Sequence, residues 1–390
     1  MRILHLSTST KGGAGIAAFR LNEALNSVNQ NSVLYSLDQA DYESATFKLE
    51  RSWIRKKQSS ALTLLQQLVV QNSNSLVTML SLSEKNKIKD LLLNYENIHV
   101  HAIYNLARIR DILEFSSADS KIFIHLHDQR VMTGGCHYSY SCRNYAQSCQ
   151  KCPQIRSGFQ YLMTQMFLEN QKKLDESNNV TIVSPSKWLL NMTKLSPTLK
   201  DKNMLQIRNP IPDSYFESKR EAQERRVITF IAANLNNPYK GFSVFLKALT
   251  QMEESFFNDK TIRVIGQGEF PALPKYIFVE RYDSYGNFEI IKSLSSTDLL
   301  VVPSLEDNSP NVIAEALASG CQIIGTNWGG IPEMLESQGM KTFAKNDAQQ
   351  LAESLQNHNF QTLNLLDRVQ IRKLYGYENI AKKVLESYRL

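Results

Sequence analysis

Hydrophobic positions in the first half of the chain fall in short β-rich runs separated by longer stretches with a helical period. RILHLS (2–7) predicts a strand, KGGAG a turn, and IAAFRLNEALNSV a helix with Ala17, Leu21, Ala24 and Val28 on one face. Strand-like runs recur at NSVLYSL, NIHVHAI, KIFIHLH, NVTIVSPS and MLQIRNP, most of them divided by helix-length segments. Strand and helix alternating in this way predict a parallel sheet covered by helices on both faces.

The pattern then restarts. IPDSYFESKREAQER is polar, charged and carries proline, as a linker does, and VITFIAAN, TIRVIGQG, YIFVERY, DLLVVPS and CQIIGTN follow with helices between them. The expectation is α/β with two doubly wound domains, 1–212 and 213–369. A lone amphipathic helix, YGYENIAKKVLESYRL, lies within a final segment 370–390. A chain of 390 residues is long enough for two such cores. Two doubly wound domains facing across a cleft bind ligands at the C-terminal ends of their strands.

The net charge of +6 is modest and unclustered, which argues against nucleic acid and suits anionic small molecules or an anionic membrane surface. MRILHLSTST has no signal-peptide pattern, and no segment approaches the roughly 20 apolar residues of a membrane span. A cytoplasmic protein with reduced thiols is expected.

SLEDNSPNVIAEALASG (304–320) follows the strand DLLVVPS. Ser309-Pro310 predicts a helix start and Gly320 its end. Asp307 then lies just before a helix N-terminus, whose free N–H groups favour phosphate, and Glu315 lies inside the helix. Glu306 falls one residue out of register and is expected to face solvent. Carboxylates beside a phosphate seat suit hydroxyls, so the spacing suggests a sugar joined to a nucleoside diphosphate. A surface helix with solvated acids is the plainer alternative.

PSLEDNSPNVIAEALASG, with the following GTNWGGIPEM, resembles the signature of retaining family-4 glycosyltransferases of the GT-B fold, of the bacterial surface-polysaccharide type. The resemblance covers nearly the whole chain, and in this fold the final helix crosses back to pack on the first domain. It gives Asp307 contact with donor-sugar hydroxyls, although the family usually has Glu there, and it gives Glu315 the donor ribose. Asn308, Ser309, Pro310 and Asn311 supply backbone and the helix start. FIAANLNNPYKGFSVFLKAL resembles the segment whose basic pair binds the diphosphate: Lys240 matches the lysine, and Asn234 stands near the usual arginine. The base is read by backbone near Gln267 to Tyr282.

KGGAGIAAF fails a GxGxxG reading because Ala18 stands at the last glycine position. The resemblance places Gly12, Gly13 and Gly15 at the cleft, Gly13 and Gly15 toward the donor and Gly12 toward the acceptor. An ordinary turn is the alternative. His127 ends the strand KIFIHLH, and the corresponding family residue contacts the donor sugar at the reaction centre. His101 and Asp128 are assigned to the acceptor, and His125 is expected to be buried. Catalytic roles therefore fall to His127, Asp307 and Lys240.

TGGCHYSYSCRNYAQSCQKCPQ (133–154) holds Cys136, Cys142, Cys149 and Cys152, with one CxxC. A structural zinc, free thiols and disulfides all remain open, and the loop is expected to shape the acceptor side. RSWIRKKQSSALTLLQQLVV (51–70) sets cations and Trp53 beside an apolar run, which suits either an anionic bilayer or a helix with a core-facing stripe.

The expected activity is a hexosyltransferase moving sugar from a UDP- or GDP-sugar to a glycan or lipid-linked oligosaccharide. No cofactor is required for catalysis, and peripheral contact with the inner membrane is allowed. A nucleotide-sugar epimerase of the same fold and a non-catalytic sugar-binding scaffold are the alternatives.

Overall fold

Each strand-like run of the sequence is a strand in the computed structural model, which describes residues 1–390 except 39, 40, 42, 72–74, 284, 285, 361–364 and 390. The chain divides into two compact units: Met1–Pro210 with Ile380–Leu390, and Ile211–Asn379.

The first unit holds β1 (Arg2–Leu6), β2 (Asn31–Ser36), β3 (Thr46–Lys48), β4 (Asn97–Val100), β5 (Lys121–His125), β6 (Val180–Ser184) and β7 (Asn203–Gln206). They form one parallel sheet in the order β3-β2-β1-β4-β5-β6-β7. Its helices are α1 (Gly12–Ser27), α2 (Trp53–Val69), α3 (Lys85–Leu92), α4 (Ile109–Phe115), α5 (Tyr161–Asp175) and α6 (Lys187–Thr193).

The second unit opens with helix α7 (Asp213–Glu217). Its strands are β8 (Arg226–Asn234), β9 (Lys260–Gln267), β10 (Val279–Tyr282), β11 (Leu299–Val302), β12 (Gln322–Thr326) and β13 (Thr342–Phe343). They run parallel in the order β10-β9-β8-β11-β12-β13. Helices α8 (Phe242–Thr250), α9 (Asn287–Ser295), α10 (Asn311–Ala318), α11 (Ile331–Leu335), α12 (Ala348–Gln356) and α13 (Leu365–Tyr375) follow, and α14 (Tyr377–Ser387) closes the chain.

In each sheet the strand order reverses beside the first strand, between β1 and β4 and between β8 and β11. Ligands of doubly wound sheets bind at that reversal, at the carboxyl ends of the strands. The loops after β1, β4, β8 and β11 carry the glycine turn, His101, Lys240 and Asp307.

Two strands were not anticipated. β3 and β13 are three and two residues long, too short to show a period of two, and both lie at sheet edges. The last segment also differs from expectation. The stretch before Ile380 stays in the second unit, where Ile211 bridges Gly376. From Ile380 onward the chain joins the first unit, burying Ile380, Ala381 and Val384.

Alternation on β4 and β5 gives the first sheet two different faces. Ile98, Val100, Ile122 and Ile124 enter the aliphatic core. The residues between them, His99, Phe123 and His125, face the other way with His5, which pairs in register with His99. Tyr388, just past α14, meets this second face: its hydroxyl lies 2.6 Å from His99 Nε2, and its carbonyl accepts from Lys121 Nζ at 2.7 Å.

Candidate functional site

In the second unit, two loops at the carboxyl ends of adjacent strands meet. The β8–α8 loop carries Lys240 and the β11–α10 loop carries Asp307. Lys240 Nζ donates to Asp307 Oδ2 at 2.7 Å, and Leu305 N donates to the Tyr239 carbonyl at 2.7 Å. The approach demands glycine at position 241: φ is +71°, and a Cβ there would stand 1.9 Å from the Pro303 carbonyl oxygen. Burial alone would lower the Lys240 pKa, but the charges of Asp307 and Tyr239 outweigh it and raise it.

Asp307 is fixed from a third side by the β12–α11 loop. Gly330 N donates to the Asp307 carbonyl at 3.0 Å, and a Cβ on Gly329 (φ +70°) would lie 2.0 Å from the same oxygen. The GTNWGG run therefore positions the Asp307 backbone.

Helix α10 begins one residue later than expected. Pro310 is its N-cap and makes no side-chain cap, and Asn311 is its first residue. Ser309 is not the cap; its hydroxyl points at the Met334 sulfur, 3.9 Å away. The start of α10 carries the positive end of the helix dipole, which suits an anion. Glu315, Asn308 and Ser309 are all buried beside this turn. Gly320, at φ +82°, ends the helix as predicted.

Glu306 does not face solvent. It is 1% exposed, accepts from Trp328 Nε1 at 2.7 Å and lies 3.8 Å from Lys345 Nζ, which also sits over the Trp328 ring. Trp328 and Lys345 come from distant loops, so spacing along the chain gave no hint of this partnership. Asn234, offered as a substitute for a basic residue, accepts from Asn236 N at 2.9 Å and so shapes its own turn.

In the first unit, five histidines, four of them buried and His127 half-buried, form two hydrogen-bonded chains. His127 Nε2 lies 2.9 Å from His101 Nδ1, and His101 Nε2 lies 3.0 Å from His5 Nδ1. His125 Nε2 lies 2.8 Å from His99 Nδ1, which continues to Tyr388. Burial lowers the pKa of all five, His127 to about 4 and His5 to about 3. They are neutral at pH 7, and a neutral imidazole has one donor and one acceptor, so each chain runs in a single direction.

In the first chain His5 Nε2 meets no partner. An unused buried donor is the costlier orphan, so the favoured direction leaves that nitrogen a bare acceptor. Then His5 donates to His101 and His101 to His127, which puts the His127 proton on Nδ1.

His101, His125, His127 and Asp128 line a cavity of about 320 Å³ with apolar walls at Met79, Ile103 and Met166. That volume is typical of a small-molecule site. The Asp128 carboxylate is already engaged. It accepts from Arg130 Nε at 2.8 Å and lies 3.4 Å from His137 Nδ1. Burial pushes its pKa up, but Arg130 and His137 outweigh that and hold it below the ordinary value.

Gly12 opens α1 at φ +70°. A Cβ on Gly12 or Gly13 would meet nothing, so ligand can approach there, whereas at Gly15 it would strike the Ser9 carbonyl at 2.4 Å. Asp38, beyond the end of β2, was missed in the sequence: its carboxylate takes Ser9 Oγ and Thr10 N and braces this loop.

The cysteine loop is pinned to the segment before α3. Thr78 N donates to the Gly135 carbonyl at 2.9 Å and His137 N to the Leu76 carbonyl at 2.9 Å. All four of its thiols are free. Among the described residues, no group of three or more His, Cys, Asp or Glu is drawn together tightly enough to hold a metal ion. Nor is any helix among them long and apolar enough to cross a membrane.

The stripe on α2 is exposed, not core-facing. Trp53 (67%), Leu64, Leu65 and Leu68 all lie in solvent, and the helix buries only Ser59 and Gln66.

Residues 225–358 match the family model described as glycosyl transferases group 1. Over 277 residues the chain is 22% identical to WcaC of Escherichia coli (strain K12), whose name assigns it to colanic acid biosynthesis as a glycosyl transferase; the match covers 66% of each chain. Among solved structures, sucrose-phosphate synthase of Thermosynechococcus elongatus matches with a TM-score of 0.68 at 14% identity, over 100% of this chain and 98% of that one. Anabaena Alr3699/HepE in complex with UDP-glucose matches with a TM-score of 0.61 at 12% identity, over 100% and 99%. The second unit thus carries a glycosyl transferases group 1 domain, and the two-unit fold is GT-B.

Proposed function

We propose that this chain, a glycosyltransferase of the GT-B fold, moves a sugar from a nucleoside-diphosphate sugar to a hydroxyl of a glycan or lipid-linked glycan, with retention at the anomeric carbon, in surface-polysaccharide synthesis. The observation that carries this reading is the Lys240–Asp307 pair at the strand reversal of the second unit, just before the start of α10.

Lys240 and the N–H groups of α10 supply positive charge for the departing diphosphate. Asp307 accepts from hydroxyls of the transferred sugar, and Glu315 from the ribose. In the first unit, His127 lines a cavity with both arginine and aliphatic side chains in its walls, suited to a sugar on an apolar carrier. No protein nucleophile is required. The acceptor oxygen attacks on the face the diphosphate leaves, its bond to the anomeric carbon forms as the C–O bond to phosphate breaks, and the leaving phosphate oxygen takes the acceptor proton. The UDP-glucose complex of HepE supports a nucleotide-sugar donor.

Helix α2 supports a peripheral seat on an anionic leaflet at the cytoplasmic face. Its apolar stripe is exposed, with Arg55, Lys56 and Lys57 in solvent around Trp53.

Proton NMR of the first product formed from an α-linked donor tests the chemistry. The α-anomer is expected; a β-linked product would refute retention.

A further inference from the structure

The 320 Å³ cavity of the first unit has charge as well as apolar surface in its walls. Arg108, Arg110 and Arg130 line it, against two carboxylates, Asp128 and Glu169. Its histidines add no positive charge at pH 7, because burial holds them neutral.

The three arginines are held differently. Arg130 is spent: its Nε donates to Asp128 Oδ2 at 2.8 Å with both side chains mostly buried, and its guanidinium lies over the Tyr104 ring. Arg110 is shared. It donates to Glu169, but the two side chains are 40% and 49% exposed, and a pair so exposed yields readily to another anion. Asp111, behind this wall, is already occupied. Its Oδ2 accepts from Arg108 N at 3.1 Å, and its Oδ1 lies 3.8 Å from Arg110 Nε.

Arg108 has the least compensation. Its guanidinium donates through Nε and Nη2 to the Ser81 carbonyl, at 3.4 and 3.1 Å, and among the described residues no carboxylate forms an ion pair with it. A carbonyl satisfies a hydrogen bond but does not match a charge, and a guanidinium has five N–H donors. That planar fork suits the oxygens of a phosphate or carboxylate. Leu80, which precedes the residue holding Arg108, is exposed and lines the same cavity, so apolar surface and unmatched charge adjoin there.

We propose that this cavity takes an anionic amphiphile. Its acidic group, a phosphate or a carboxylate, binds Arg108 together with Arg110 drawn from Glu169, and its apolar portion lies along Met79, Ile103 and Met166. The assignment rests on the reading of this cavity as the acceptor site. It narrows the acceptor to one that bears acid, either on its lipid carrier or on an acidic sugar. A neutral glycan would leave the Arg108 charge unmatched.

Isothermal titration calorimetry of the full chain with decyl phosphate, decyl β-glucuronide and decyl β-glucoside, each below its micellar concentration, tests this. At least one anionic amphiphile should bind tenfold or more tightly than the glucoside, and the one that does identifies the acid. Arg108→Gln, at an exposed position, should abolish that preference and leave both the melting temperature and the glucoside affinity unchanged. Glu169→Gln, which frees Arg110, should tighten anionic binding severalfold. The triple replacement of Leu64, Leu65 and Leu68 by Ser removes the α2 stripe and should bind as the wild type does. Equal affinity for all three amphiphiles, a preference that survives Arg108→Gln, no gain in Glu169→Gln, or a preference lost with the α2 stripe would each overturn the proposal. A nucleotide-sugar thermal shift without anionic preference overturns this inference alone. An anionic amphiphile that binds through Arg108 yet leaves nucleotide-sugar turnover unchanged overturns the acceptor reading and supports the anion site.

Discussion

Lys240 and Asp307, 67 residues apart in sequence, form an ion pair of 2.7 Å that joins the loops after β8 and β11. The pair is partly buried, with side chains 28% and 12% exposed. Removing either member leaves the other charge uncompensated. In the proposed reaction Lys240 turns to the leaving diphosphate while Asp307 takes sugar hydroxyls, so both belong to one electrostatic unit.

Lys240→Gln and Asp307→Asn should therefore each lower kcat/KM by about a hundredfold or more. The double variant should cost far less than the product of the two single losses. Steady-state kinetics on the three variants checks this; fully multiplicative losses would mean the residues act independently.

The backbone of Asp307 is held by a glycine that tolerates no side chain. Gly329→Ala should both destabilise the protein by about 1–3 kcal/mol and reduce turnover. Gly339 is the control: it also has positive φ (66°), but a Cβ there meets nothing. Gly339→Ala should cost only the conformational part and leave kcat unchanged. Equal effects at both positions would show that the contact with Asp307 does not matter.

The histidine chains predict an acid limb of stability. Their folded pKa values lie below the ordinary 6.5, His127 at about 4. The unfolded chain therefore binds more protons between those two values. Stability is fully present above about pH 6.5 and is lost as pH falls toward 4. The melting temperature should drop steeply over this window, and His99→Gln should make the drop shallower. A melting temperature flat from pH 7 to 5 would show that these rings are not neutral in the fold.

These chains mark how far the sequence could be read. IHVH and IFIHLH alternate with period two, which placed His101 and His127 at strand ends and buried His125; the strands stop at Val100 and His125, just short of both. The link to His5 needed the register of β1 against β4, which no local pattern records. The positions of the strands and the Lys-Gly turn were legible because they depend on local chemistry. Glu306 was not, since its burial depends on Trp328 and Lys345 arriving from other loops. The α2 stripe had the right period but no sign of direction, because an apolar face reads alike whether it meets a core or a membrane.

That exposed stripe gives its own expectation. Replacing Leu64, Leu65 and Leu68 together by Ser should weaken sedimentation with anionic phospholipid vesicles at least tenfold without lowering the melting temperature, since none of the three is buried. Equal binding by the variant, or binding unaffected by added salt, would argue against a cationic and apolar seat on the membrane.

The central claim is that Lys240, Asp307, Glu315 and the start of α10 form a nucleotide-sugar site. Its most direct measurement is a thermal-shift screen of UDP-, GDP-, ADP- and dTDP-sugars on the full chain and on Glu315→Ala. One nucleotide class should raise the melting temperature of the wild type by several degrees, and the shift should vanish in the variant. No shift with any nucleotide-sugar, or an equal shift in both proteins, would contradict the account.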